Sequence, residues 1–195
     1  MSLTTDKADS AKSEPQNNDH QLVANVAVNH AYHKVKRRRI LMATARLEAT
    51  RCNASLIPIR VLLDSASEAN FVTQAAYNKL GLKKNRAFEI VTGLNEIENK
   101  IHNICEVHVK SRCSNFQASV QYLIVPKITK NLPSMNIDRD KLQIPNNLAL
   151  ADSEFHNNGP IDMLLGAEYF FDLLDAGKIE LGQDQLVLQN MKLGS

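Results

Sequence analysis

The sequence predicts a small, mainly β domain with two short helices. Two observations carry this. Cys105 to Val109 and Ala118 to Ile124 alternate apolar and polar residues with the period of two that a strand with one buried face requires. Two other apolar runs, Ile59–Leu63 and Ile161–Leu165, stop abruptly at Asp64 and Gly166, and each is followed by a short segment of helical spacing. Strand-like segments outnumber helical ones along the chain.

Residues 1–38 form a polar N-terminal tail without sustained apolar periodicity, for which disorder is expected. The domain is placed at 39–195. Ile40–Ala49 reads as its first strand and Ile59–Leu63 as the return leg of a hairpin that ends at Asp64. Ala69–Leu80 has apolar residues at helical spacing and is closed by Gly81. Phe88–Glu96 is a strand broken by Gly93, with a return leg near Ile97–Ile104. The two alternating strands follow. Between Pro126 and Pro160, four prolines and several asparagines predict a long irregular excursion, which in a small domain is functional or wraps another surface. Ile161–Gly166 is a second apolar strand. Ala167–Leu174 is a short helix that Gly177 can close, and a hairpin around residues 182–185 finishes the chain.

Composition excludes several functions. The chain has 195 residues, 44% hydrophobic, enough for one well-buried domain. It has no Trp and 5% aromatic residues, which argues against surfaces that stack sugars or bases. No apolar run reaches the ~18 residues of a membrane span, and the polar, acid-containing N-terminus resembles no signal or transit peptide. Cys52, Cys105 and Cys113 form no CxxC pair, which fits a reduced intracellular, cytoplasmic setting and argues against a metal site. His30 and His33 have ligand-like spacing but no nearby cysteine, and read as solvated tail residues.

The net charge of +2 is unevenly spread: residues 1–39 hold seven Lys and Arg against four Asp and Glu. The excess lies in Lys34, Lys36, Arg37, Arg38 and Arg39. Such a cluster can touch phosphates or act as an import signal. It reads more simply as a solvated linker before the fold, with nucleic-acid contact at most weak.

Asp64 is the candidate catalytic residue. A strand that delivers a carboxylate to a tight turn mounts it rigidly at the rim of a cleft. The plainer alternative is helix capping, since Asp64, Ser65 and Ser67 are good N-caps and Glu68 lies three residues after Ser65. Neither serine sits in a G-x-S-x-G elbow, so a serine nucleophile lacks support. Asp162 is followed by Met163 rather than a small hydroxyl residue and reads as a structural acid at a strand entry. Glu168, Asp172 and Asp175 share helical spacing and read as a solvated face.

The strand–Asp64 turn–helix near the start is echoed by strand–Gly166–helix near the end, an arrangement that resembles retropepsins. At finer level, Ile40–Ala45, Leu62–Ser67, Leu80–Leu82, Leu123–Thr129 and Ile161–Phe171 look like the aspartic peptidase domain of BEL/Pao-type LTR retrotransposon polyproteins. Lys192–Gly194 resembles that domain's end, so the resemblance runs in order over about residues 39–194. It implies a retropepsin-like barrel with one lobe per chain, Asp64 as catalytic aspartate, and a homodimer that pairs two such carboxylates to cleave a polyprotein or peptide without cofactor or metal. Ser65 would lock the paired turns, with Ser67 completing the active-site turn. Gly93 would lie at a flap tip, and Gly166 would let the backbone lie beneath the turn. The chain departs from the pattern at Ala66, where the family carries glycine, and in a flap with few glycines. The alternative is therefore a catalytically inactive, domesticated dimerisation or peptide-binding domain of the same fold.

Overall fold

A computed structural model describes residues 41–92, 98–181 and 186–194. The polar tail, the basic cluster and Gly93 lie outside the described residues. The architecture is mainly β with two short helices, as the sequence predicts.

Among the described residues nine strands and two α-helices follow one another: β1 (Thr44–Thr50), β2 (Leu56–Leu63), β3 (Phe71–Thr73), α1 (Gln74–Leu80), β4 (Asn85–Thr92), β5 (Glu98–Ser111), β6 (Gln117–Val125), β7 (Met163–Leu165), α2 (Ala167–Leu173), β8 (Leu174–Leu181) and β9 (Leu186–Met191). Seven of the strands form one sheet in the order β1-β2-β7-β3-β6-β5-β4. It closes on itself because the far end of the long β5 also pairs with β1, Leu47 opposite Ser111. β4 extends from the closed ring as a hairpin with β5. β8 and β9 form a separate two-stranded sheet.

The predicted β1–β2 hairpin forms, with Leu47 opposite Ile59. β2 then runs parallel to β7, Leu63 beside Leu165. Parallel strands are covered on both faces and read as continuous apolar runs, and Ile59–Leu63 and Met163–Leu165 are buried throughout. Strand alternation divides their side chains. Val61, Leu63, Met163 and Leu165 join the main core with Leu47, Val72, Val107, Val120 and Tyr122. Leu62 and Leu164 point the other way, into a smaller cluster with Ile128 and Ile161.

Several boundaries move. The first strand begins at Thr44 rather than Ile40. Ala69–Leu80 is not one helix: Phe71–Thr73 is spent on β3, between β6 and β7, and the helix starts after Thr73, whose hydroxyl accepts the Ala76 N–H (3.1 Å). Tertiary pairing overrides the helical spacing of Val72, because a gap between two strands in register supplies ladder hydrogen bonds that an isolated helical turn lacks. Gly81 ends α1 with φ 65°, as expected. Gly177 does not end α2. It lies in β8, and the helix stops at Leu173, with the extended Leu174 as its C-cap.

The excursion at 126–160 is irregular but firmly attached. Leu132 and Gly159 bridge each other, and a buried ion pair fastens the lobe to the barrel. Arg60 Nε donates to Asp152 Oδ2 at 2.7 Å, and Arg60 Nη1 donates to the Leu132 carbonyl at 2.7 Å. Thr44 and Arg46 of β1 also donate to the Asp152 carboxylate (2.7 and 3.2 Å). A charge inside the apolar run of β2 is tolerable only with such a partner.

Candidate active site

The turn after β2 brings the expected site residues together. Asp64 is half-buried, Ser65 and Ala66 are exposed, and Ser67 is half-buried. The carboxylate folds back on its own turn, Oδ1 accepting the Ala66 N–H at 3.0 Å. None of the described residues donates to Oδ2. Among the described residues, Ala54 is the non-glycine residue with positive φ, so the backbone at Ala66 adopts a conformation open to any L-residue. The capping role weighed for Asp64, Ser65 and Glu68 has no helix to serve, because α1 begins only at Gln74.

Beneath this turn lies the end of β7. The Asp64 N–H donates to the Leu165 carbonyl (3.0 Å), and the Ala167 N–H donates to the Ser67 carbonyl (2.7 Å). Gly166 sits between these two bonds. A Cβ placed on it would stand 2.5 Å from the Ser67 carbonyl oxygen and 2.8 Å from that of Ala69, closer than any side chain allows. Ser67 Oγ donates to the Ala69 carbonyl (2.7 Å), which stiffens the far side of the turn.

Asn70 was not singled out from the sequence, yet its side chain joins the same assembly. Its Oδ1 accepts the Gly166 N–H at 2.9 Å, and its Nδ2 reaches Glu168 Oε2 at 3.4 Å. Glu168 is therefore not simply part of a solvated face, and Asp175 lies on β8 rather than on the helix. An amide placed just before the apolar Phe71-Val72 pair was the available signal, because buried polar groups need partners.

Asp162 is held elsewhere. Its Oδ2 accepts the Arg60 N–H (3.0 Å), and it enters β7 at the end away from Leu165. With a rise of about 3.3 Å per residue, it stands a strand's length from Asp64. Among the described residues no group of three or more His, Cys, Asp or Glu could hold a metal ion, and the described cysteines are free. No described helix is long and apolar enough to cross a membrane. A groove of ≈ 300 Å³ lies between the β8–β9 hairpin and Leu148, and no residue lining it belongs to the Asp64 turn.

No family model matches the sequence, and no curated protein matches it. Among solved structures, EIAV protease in complex with an inhibitor matches with a TM-score of 0.38 and 15% identity, over 73% of this chain and 93% of that one. That superposition is too loose to transfer the role of any residue.

Proposed function

We propose that this chain is one protomer of a retropepsin-like aspartic endopeptidase that cleaves a BEL/Pao-type retroelement polyprotein. The observation that carries the reading is Asp64 itself: a half-buried carboxylate at the end of a strand buried from Ile59 to Leu63, in a turn braced from below by the Leu165 and Ala167 backbone. Such a mounting holds a reacting group in place without loss of access.

One carboxylate is too few for this chemistry, and Asp162 is turned to the Arg60 backbone. A second copy of the chain supplies the partner across a two-fold axis. Two carboxyls in contact do not both ionise, so the pair holds one proton. The charged member takes a proton from water as it attacks the scissile carbonyl, while the protonated member donates to the carbonyl oxygen. The exposed Ser65 hydroxyls are suited to tie the two turns together, and the hairpin of β4 and β5 covers the substrate.

The test is cleavage of an unstructured protein at mildly acidic pH. Activity that disappears in Asp64→Asn supports the reading, and activity that survives in it sinks the reading. The exposed methyl group of Ala66 favours a second reading, a domain that dimerises or binds peptides without cleaving them, because that methyl stands where paired turns and substrate would crowd. Cleavage that appears only in Ala66→Gly selects this second reading.

A further inference from the structure

Asn70 ends the turn that Asp64 begins, and it is 7% exposed. The Gly166 N–H can only donate, so the amide oxygen of Asn70 must face it, and the amide nitrogen must face the other way. There it meets two acceptors, the Gln121 carbonyl and Glu168 Oε2, each at 3.4 Å. The backbone carbonyl of Asn70 accepts the Leu123 N–H at 2.9 Å. One buried amide thus joins the Asp64 turn, the entry to α2 and strand β6.

We propose that Asn70, with Glu168 as its outer partner, is a positioning residue that sets where the Asp64 carboxylate stands. The inference rests on the peptidase reading and adds to it a control point that does not touch substrate. The coupling is short. The Leu165 carbonyl, which accepts the Asp64 N–H, shares a peptide with the Gly166 N–H that Asn70 clamps, and the Ala167 N–H, which donates to the Ser67 carbonyl, belongs to the next one. A shift of Gly166 therefore moves both ends of the catalytic turn. The site needs a neutral group with one acceptor and two donors, which an amide supplies. An acid of the same shape satisfies Gly166 but offers the Gln121 carbonyl and the Glu168 carboxylate at most one donor, and none when ionised, where the amide offers two.

The experiment measures kcat, KM and thermal melting for the wild type, for Asn70→Asp, and for the double variant Asn70→Asp with Glu168→Gln. A misplacement of about 1 Å can cost about 10²-fold in rate, so Asn70→Asp is expected to lower kcat at least about tenfold with KM within about twofold. The double variant restores a donor opposite the new carboxylate and is expected to recover most of the lost kcat. A single variant with wild-type kcat overturns the proposal and leaves the peptidase reading intact. So does a double variant that melts like the wild type but recovers no rate. Should Asn70→Asp not fold, Asn70→Ser, with its short hydroxyl, is read by the same kcat criterion. A wild-type chain without Asp64-dependent cleavage removes the peptidase reading and this inference together.

Discussion

Gly166 has the least freedom of any residue at the site. Its α-hydrogen faces two carbonyl oxygens that leave no room for a methyl group. Gly166→Ala should destabilise the domain by about 1–3 kcal/mol, as overpacking does, and urea unfolding would measure it. Ala66 is the opposite case, exposed and unstrained, so Ala66→Gly should leave the unfolding midpoint nearly unchanged. Any effect of that substitution should show in cleavage or association instead. Tyr122 is fully buried, and its hydroxyl has no hydrogen-bond partner among the described residues. Burial first, with the neighbouring Tyr169 and Cys105 adding to it, pushes its ionisation far up, so the hydroxyl stays neutral. An unmade hydrogen bond in the core costs about 1–3 kcal/mol. Tyr122→Phe should therefore be neutral or stabilising, and an unfolding midpoint clearly below wild type would refute this.

At the scale of the element, β2 has two tasks. Its far end carries Asp64, and its middle carries Arg60, which is 6% exposed and paired with Asp152 at 3%. Burial pushes the Asp152 carboxyl up, but hydrogen bonds from Thr44 and Arg60, the Arg60 charge and the Glu154 N–H outweigh it and hold the carboxyl below its usual range. A depressed folded pKa contributes stability that is present above the unfolded value, about 3.9, and is lost as pH falls through the folded value. Mildly acidic assays leave this anchor in place, and stronger acid should release the 126–160 lobe. Asp152→Asn strands a buried guanidinium and should cost about 3–5 kcal/mol at neutral pH. Its stability should also fall less steeply in acid than that of the wild type. Chemical denaturation at several pH values checks both outcomes, and parallel acid profiles would count against the anchor.

For the whole molecule, the peptidase reading requires two copies. Specific activity per protomer should fall on dilution in step with dissociation followed by analytical ultracentrifugation. A species that remains monomeric at high concentration yet cleaves would exclude a shared pair of carboxylates.

The sequence by itself determined the mainly β architecture, the alternating strands β5 and β6, the β1–β2 hairpin, and the presence of one strand that ends at Asp64 and another that ends at Gly166. These are local or nearly local matters, settled by side-chain period, turn residues and the few residue types a tight turn accepts. Only the tertiary structure decided that Val72 belongs to a strand, that Arg60 is answered by Asp152 ninety-two residues later, and that Asn70 holds Gly166. Each of these depends on which partner arrives at a fixed distance across the closed sheet. A residue's own neighbours carry no record of that partner, because burial, pairing and charge neutralisation are properties of two chain segments together.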